Sequence, residues 1–270
     1  MIGALEVADG VWVSAGSARP STHDGDLRAA AVLPEWRGAR FLRGRGLLRS
    51  LLHAIAPSLA DADIVPDGRG RPCLKDFPHA GISVSHSGST TACSFTRSGR
   101  VGVDLQHSAE SAGQVLARRL LRTHAPRVLA LGPERAAREV AWVWTAQEAC
   151  VKAAGTGLAG RPWEIDVVPG SRTGMWGPYR WICLRDHSDI PLSCAYVSYL
   201  PGGVPDDGGL CVAVRGGTGV PAGVQDGTAV RPAKTSATPA VLLGPAGSVG
   251  RPGDASPSRP GPLSASSRKV

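Results

Sequence analysis

Residues 101–106 read Val-Gly-Val-Asp-Leu-Gln, a pattern that predicts a buried strand with an acid near its end. Alternate residues of a strand share a face, so Asp104 and Gln106 point the same way while Val103 and Leu105 point into the core. A carboxylate at the end of an apolar strand is costly to bury without a cation, so a metal would account for it. The alternative is an aspartate that caps the following loop.

A second run, Trp-Thr-Ala-Gln-Glu-Ala-Cys-Val-Lys at residues 144–152, predicts a helix. Glu148 and Lys152 are four residues apart and lie one turn above each other on one face. Two oxygen ligands and a nearby ammonium suit a magnesium ion and a phosphate ester. A solvated ion pair is the alternative for this Glu–Lys spacing. A third run, Ser-Val-Ser-His-Ser-Gly at 83–88, adds hydroxyls and an imidazole.

Four motifs in a fixed order carry a family resemblance. The chain is similar to the 4′-phosphopantetheinyl transferases, and more narrowly to their larger, monomeric, surfactin-type branch. The resemblance extends from about residue 40, at an arginine-rich helix, to about residue 199. The motifs are Gly-Arg-Pro-Cys-Leu (70–74), Ser-Val-Ser-His-Ser-Gly (83–88), Gly-Val-Asp-Leu (102–105) and Trp-Thr-Ala-Gln-Glu-Ala-Cys-Val-Lys-Ala-Ala-Gly-Thr-Gly-Leu (144–158).

The resemblance implies an α/β fold in which two similar halves pack as a pseudo-dimer. We expect an N-terminal half at 1–100 that grips the nucleotide of coenzyme A. A C-terminal half at 101–215 would hold the metal and the catalytic residues. Residues 216–270 are rich in Gly, Pro, Ser and Ala, a composition that predicts a disordered tail. The site would lie in the cleft between the halves.

The activity implied by the resemblance moves the phosphopantetheine arm of coenzyme A onto a serine of an apo acyl or peptidyl carrier protein, releasing 3′,5′-ADP. Asp104, Glu148 and Gln106 would hold Mg²⁺. Glu148 is also a candidate base for the carrier serine, and Lys152 would contact the pyrophosphate. The catalytic set implied is therefore Asp104, Glu148 and Lys152.

Four further residues are candidates for binding coenzyme A beside Lys152. Ser85 and His86 resemble the family's phosphate contacts, with the 3′-phosphate as the target of His86; a loop histidine is the alternative. Arg71 and Arg45 are candidates for the nucleotide end, because the guanidinium fork suits a phosphate dianion. For Arg45 a solvated helix arginine is an equal alternative.

Two positions depart from the family pattern. Gln106 stands where a carboxylate is common, and Gln147 stands where a lysine commonly precedes the helix glutamate. We expect weaker metal binding from the first change and one cation fewer at the pyrophosphate from the second. These changes are the only support for the alternative of a paralogue that binds coenzyme A or a carrier protein without transfer.

Composition limits the other function classes. Half of the formal charge of +8 lies in residues 216–270, which carry six basic and two acidic residues. A basic body fits a polyphosphate cofactor and an acidic partner. A nucleic-acid binder using the arginine-rich helix and the tail is a rival, but no nucleic-acid-binding motif is present.

Cysteine usage and the N-terminus bear on the compartment. The six cysteines contain no C-x-x-C pair, which argues against a zinc site and indicates reduced thiols. Residues 1–10 carry two acids and no basic residue, so we expect no signal peptide. No apolar run approaches the length of a membrane span. We therefore expect a cytoplasmic protein that binds neither membrane nor nucleic acid, and the resemblance implies a monomer.

Periodicity places the secondary structure. Helices are predicted at 34–56, 111–122 and 133–154. Strands are predicted at 72–74, 81–85, 91–96, 100–105, 163–168, 179–184 and 193–199, with a last edge at 212–214.

Overall fold

A computed structural model describes residues 2–109 and 113–198 of this chain. Two four-stranded sheets dominate it, and all of their strand pairings are antiparallel. The mixed α/β fold expected from the sequence is confirmed. The division at residue 100 stays a prediction, and the predicted tail and the edge strand at 212–214 lie outside the described residues.

The sheets and helices have the following bounds. The strands are β1 (Ile2–Ala8), β2 (Val11–Gly16), β3 (Ile64–Pro66), β4 (Pro72–Leu74), β5 (Gly81–Ser87), β6 (Thr90–Thr96), β7 (Gly99–Leu105), β8 (Thr173–Trp176), β9 (Tyr179–Cys183) and β10 (Leu192–Ser198). The α-helices are α1 (Asp24–Ala31), α2 (Glu35–Ile55), α3 (Gln114–Leu121), α4 (Ala125–Leu129) and α5 (Pro133–Ala154). Short 3₁₀ turns cover Pro57–Leu59, Arg122–His124, Gly157–Gly160 and Pro162–Glu164.

The first sheet has the order β1-β2-β6-β5, and the long helix α2 packs against it. Leu48 and Leu52 of α2 are fully buried against Phe95 of β6 and Ile82 of β5. These leucines form one apolar stripe, because residues three to four apart share one helix face. Strands β3 and β4 form a separate two-stranded ribbon.

The second sheet has the order β7-β10-β9-β8, and the long helix α5 packs against it. Helix α5 begins with Pro133 and has Glu134 in its first turn, as its sequence predicts. It ends at Gly155, whose left-handed backbone (φ 70°) lets its N–H bond to the carbonyl of Lys152. Lys152 is thereby fixed in the last turn.

A third core cluster joins the two sheets. It contains Val11 and Val13 of β2 together with Val103 of β7 and Leu192 of β10, all without solvent exposure. Burial of this apolar surface stabilises the contact between the sheets. The strand that carries Asp104 is therefore packed from both sides.

One predicted strand is wrong. Residues 163–168 contain a 3₁₀ turn and no strand, although Ile165 and Val167 are buried and alternate with exposed Asp166 and Val168. The alternation that suggested a strand is present, but the carbonyl of Ile165 accepts from the Gln147 side chain instead of a neighbouring strand.

The expectations about membrane spans and about cysteines can both be compared with the structure. Among the described residues, no helix combines the length and apolar character that a membrane span requires. Five cysteines are free and buried, as expected of reduced thiols, and Cys211 lies outside the described residues. Burial raises the pKa of Cys194 to about 12, so its thiol stays protonated and unreactive.

Candidate functional site

The site lies where strand β7 meets strand β5 of the other sheet. Three serine hydroxyls of β5 accept hydrogen bonds from two backbone N–H groups of β7 and from that of His107 just after it. The offset is constant at twenty residues, so the two chain segments run in the same direction. We call this row the serine seam. Its pairs are Ser83 with Val103 (3.1 Å), Ser85 with Leu105 (3.3 Å) and Ser87 with His107 (2.9 Å).

Gly102 brings helix α5 onto β7. A Cβ atom at Gly102 would lie 2.2 Å from the carbonyl oxygen of Ala149 and 2.4 Å from the backbone nitrogen of Ala153. Only glycine allows this close approach of helix backbone to strand. Because of it, the Lys152 side chain reaches past the strand to Asp104.

Asp104 and Lys152 form the centre of the site. The Lys152 ammonium lies 2.6 Å from Oδ1 of Asp104, and it also donates to the Ser85 hydroxyl and to the Val103 carbonyl, both at 3.2 Å. The Asp104 residue is 6% exposed, whereas the Lys152 side chain is 28% exposed. A buried carboxylate needs such a charged partner. The alternative of Asp104 as a loop cap is therefore wrong.

Glu148 lies one turn before Lys152 and keeps an unsatisfied oxygen. Its Oε1 is buried without a hydrogen-bond partner. Burial, and then the negative charge of Asp104, raise its pKa from 4.5 to about 7, while Lys152 opposes the rise. The pair of Glu148 and Lys152 is thus not a solvated surface ion pair.

The raised pKa of Glu148 predicts a pH-dependent stability. The folded protein holds this proton more tightly than the unfolded chain, so the associated stability is present below about pH 4.5 and is lost as pH rises through about 7. In magnesium-free buffer we expect Glu148→Gln to raise the free energy of unfolding at about pH 8 by up to about 3 kcal/mol, and much less at about pH 5.

Urea unfolding of wild type and variant at both pH values measures this difference, in which the titrating groups that do not interact with Glu148 cancel. An equal effect of Glu148→Gln at the two pH values would contradict the raised pKa.

Gln106 follows the last residue of β7 and is partly buried. Its side-chain nitrogen donates to the carbonyl of His107 at 3.0 Å, and its backbone N–H donates to Pro191. Within residues 2–109 and 113–198, no group of three or more His, Cys, Asp or Glu side chains has the arrangement of a metal site. Carboxylate and amide oxygens are ligands that magnesium accepts. The Oε1 atom of Glu148, which is buried and has no hydrogen-bond partner, is available as such a ligand.

His86 of β5 packs on helix α2 rather than in a loop. Gly44 makes room for its ring, since a Cβ there would lie 2.7 Å from Nε2, and Nδ1 bonds to the Thr91 hydroxyl at 3.0 Å. Burial, and then the charges of Arg40, Lys152 and Arg43, lower the pKa of His86 to about 4. The imidazole is therefore neutral at physiological pH. The alternative of His86 as a loop histidine is wrong.

A cavity of about 730 Å³ opens beside His86. Helix α2 supplies one wall, and β5 with the β3–β4 ribbon supplies the other. Its walls combine apolar surface with cations, the mixture that suits a base and its phosphates. Its lining includes Trp36, Arg37, Arg40, Arg45 and His86.

Arg45 lines this cavity but is buried, being 8% exposed. Its Nε lies 3.7 Å from Oδ1 of Asp26, and its Nη1 is buried without a partner. Arg49 forms the shorter bond to Asp26, at 2.6 Å. Desolvation lowers the pKa of Arg45 to about 10, which still leaves it charged. The alternative of a solvated arginine is wrong, and its binding to phosphate stays a prediction.

Arg71 reaches toward the C-terminal end of α5. Its Nε bonds to Oδ2 of Asp67 at 3.2 Å, and its guanidinium borders Gly155, where a Cβ would be 3.6 Å from Nη1. The structure thus brings Arg71 close to the turn that follows Lys152. Its contact with the nucleotide stays a prediction.

Gln147 corrects one expectation from the sequence. It is fully buried and turned away from Asp104, and its side-chain nitrogen donates to the carbonyls of Leu120 (3.0 Å) and Ile165 (2.9 Å). A side chain at this position faces the packing between α5 and α3. The glutamine therefore does not remove a cation from the site.

Several residues that build the site were not predicted from the sequence. Gly44 and Gly102 provide the close approaches, Asp26 holds Arg45, and Arg40 donates to the carbonyl of His86 at 3.0 Å. A glycine inside a predicted helix such as Gly44 is a sign of close packing that the sequence already offered.

Comparison with known proteins agrees with this geometry. Residues 100–177, from β7 through β8, match the family model of the 4′-phosphopantetheinyl transferase superfamily. The resemblance is confirmed. The matched segment contains Asp104, Glu148 and Lys152, the three residues that the sequence nominated for catalysis.

Two curated 4′-phosphopantetheinyl transferases are similar to the chain. HetI of Nostoc sp. is 31% identical over 134 residues, covering 47% of this chain and 55% of that protein. Sfp of Bacillus subtilis is 28% identical over 90 residues, covering 33% of this chain and 40% of that protein. The chain thus spans about half the length of the curated relatives it matches. These similarities support the resemblance to the superfamily and to its surfactin-type branch.

Proposed function

We propose that this protein transfers the 4′-phosphopantetheine arm of coenzyme A to a serine of an apo acyl or peptidyl carrier protein. One observation carries the proposal. Asp104, Glu148 and Lys152 lie in the segment that matches the superfamily, and Lys152 lies within 2.6 Å of Asp104. The carriers belong to polyketide, peptide or fatty-acid synthases, and the modular synthases of antibiotic pathways are the leading class.

Proton transfer falls to Glu148. The carrier serine oxygen attacks the phosphorus next to pantetheine, its proton moves to Glu148, and the bond from that phosphorus to 3′,5′-ADP breaks. A carboxylate with a pKa of about 7 is matched to this task near neutral pH. Lys152 stabilises the charge that develops on the leaving 3′,5′-ADP.

The cavity beside His86 takes the nucleotide end of coenzyme A. Arg37 and Arg40 project from α2 into its lining, and Arg45 adds an unpaired N–H. The neutral imidazole of His86 donates a hydrogen bond to a phosphate oxygen from one tautomer. Arg71, beside the turn that follows Lys152, is a further candidate for the nucleotide end.

Asp104, Glu148 and Gln106 are the residues that would hold Mg²⁺. The ion, when bound, neutralises the negative charge of the pyrophosphate. In this structure the Oδ1 atom of Asp104 accepts a hydrogen bond from Lys152. The Lys152 ammonium is the charged partner of this buried carboxylate.

The setting we propose is a monomer in the cytoplasm. The described cysteines are free and buried, which suits a reducing compartment. We propose no binding to nucleic acid or membrane.

The direct test is mass spectrometry of carriers. The protein is incubated with coenzyme A, magnesium and several apo carrier proteins, and each carrier is weighed. We expect the phosphopantetheine increment on at least one carrier, dependent on magnesium. No increment on any carrier, together with measurable coenzyme A binding, would favour the second candidate: a paralogue that binds without transfer, which only Gln106 supports.

Gln106 gives a prediction about metal affinity. Gln106→Glu adds an anionic ligand directly after β7, two residues beyond Asp104, so we expect the half-saturating magnesium concentration for transfer to fall severalfold. Gln114→Glu, an exposed change on α3, adds the same charge elsewhere and controls for net charge. Equal magnesium dependence in Gln106→Glu and wild type would show that residue 106 does not touch the metal.

A further inference from the structure

The hydroxyl of Ser85 has no hydrogen-bonding capacity left for a ligand. It donates to Oδ1 of Asp104 at 2.7 Å and accepts from Leu105 N–H at 3.3 Å and from Lys152 Nζ at 3.2 Å. A hydroxyl has one proton and two lone pairs, so all three are used. Ser85 is also 5% exposed.

This geometry conflicts with a phosphate contact. A phosphate oxygen can only accept, so Ser85 would have to donate its single proton to it, and that proton is held by Asp104. Giving it up would leave a buried carboxylate with one donor fewer, which is costly.

Ser85 instead connects groups from three separate elements. It lies on β5 of the first sheet, Asp104 lies on β7 of the second, and Lys152 lies on α5. Its hydroxyl touches the carboxylate and the ammonium at the same time and fixes their relative orientation. We propose that Ser85 is a positioning residue that holds Asp104 and Lys152 in their working geometry, and that it does not bind coenzyme A. This inference rests on the proposed transferase function.

Ser83 is a matched control within the serine seam. It lies two residues earlier on the same strand and face, is 6% exposed, and accepts from the Val103 N–H at 3.1 Å. Among the hydrogen bonds described for this chain, those of Ser83 do not include Asp104 or Lys152. Ser83→Ala and Ser85→Ala therefore each remove one hydroxyl contact to a backbone N–H, and only the second also removes a hydrogen-bond partner of Asp104 and of Lys152.

The first experiment separates positioning from binding. For wild type, Ser85→Ala, Ser83→Ala and Ser85→Thr, calorimetry gives the Kd of coenzyme A without carrier, and steady-state transfer gives kcat. We expect Ser85→Ala to lower kcat by about 10- to 100-fold, the usual effect of removing a residue that orients reacting groups, with Kd within about twofold of wild type. Ser83→Ala should change neither value, and Ser85→Thr should restore most of kcat.

Two results would overturn the proposal. A coenzyme A Kd weakened tenfold or more in Ser85→Ala, with kcat little changed, would make Ser85 a phosphate ligand. Equal kinetics in Ser85→Ala and Ser83→Ala would reduce Ser85 to a structural contact. Should Ser85→Ala fail to fold, Ser85→Cys, which keeps a weaker donor of similar size, is measured in the same way.

A second readout does not depend on transfer. The chain has four lysines, so reductive methylation of Lys152 can be followed by peptide mass with exposed Lys75 as internal standard. We expect methylation of Lys152 to be at least about threefold faster in Ser85→Ala than in wild type or Ser83→Ala, because its ammonium loses a partner. An unchanged rate would contradict the positioning role.

These two readouts separate the failures. If wild type transfers nothing but Lys152 methylation still depends on Ser85, the proposed function fails and the positioning role stands. If wild type transfers and neither kcat nor methylation responds to Ser85→Ala, the positioning role fails alone.

Discussion

Asp104→Ala is expected to lower the rate of phosphopantetheine transfer by roughly a thousandfold or more while the protein stays folded. The substitution removes a proposed metal ligand and the charge partner of Lys152 at once, and charge stabilisation of this kind contributes several kcal/mol to catalysis. Lys152 can turn to solvent, since its side chain is 28% exposed. Glu148→Ala should have a comparable effect, because it removes a proposed ligand that is also the proposed base.

Initial rates with an apo carrier, together with circular dichroism and a melting curve, measure these effects. Glu134→Ala is the control, since Glu134 is an exposed carboxylate on the same helix α5. Near-normal transfer by Asp104→Ala would refute the assignment of Asp104 to the metal site.

Gly102→Ala is expected to destabilise the fold by about 3 kcal/mol or more, the upper range for overpacking a core. The added methyl group would meet the backbone of Ala149 and Ala153 at 2.2 and 2.4 Å, and backbone atoms cannot rotate away as a side chain can. Helix α5 must then move off β7, which also separates Lys152 from Asp104.

Denaturant unfolding of Gly102→Ala and of Gly3→Ala tests this prediction. Gly3 also lies in a strand, but a Cβ there would have nothing within 4 Å, so its substitution should change the free energy of unfolding by less than about 0.5 kcal/mol. If the two variants are equally stable, α5 and β7 are not packed as closely as described.

The elements that sequence predicted well are those with complete local information. Helix α5 has the same bounds as predicted, because a Gly-Pro start and a glycine at its end frame an apolar repeat. Strand β7 differs from its prediction by one residue. The strand predicted at 163–168 is absent, because the alternation of buried and exposed residues there reflects packing against α5 and not strand pairing.

The hairpin of β1 and β2 was overlooked although its sequence offered a recognisable turn. Asp9 and Gly10 separate the two strands, and Gly10 has the positive φ of 68° that such tight hairpin turns need. Helix α1 was also missed, because eight residues with three alanines and two aspartates have a weak apolar pattern.

For the candidate site, sequence could nominate residues but not their partners. Asp104, Glu148 and Lys152 were nominated from spacing and resemblance, and the structure brings Asp104 and Lys152 together. The Gln147 side chain points toward α3, and the Ser85 hydroxyl makes three hydrogen bonds. Both contacts depend on how separate elements pack in three dimensions. No pattern along the chain records such contacts.

The serine seam has a consequence for how this protein can change. Neighbouring strands in a sheet are usually held by hydrogen bonds between peptide groups, which every residue except proline supplies, so a point mutation rarely removes one of these bonds. In the serine seam between β5 and β7, a side-chain hydroxyl accepts each bond. A single codon change at 83, 85 or 87 therefore removes one bond and leaves the others. The contact between the two sheets is therefore open to adjustment by selection in small, separate steps.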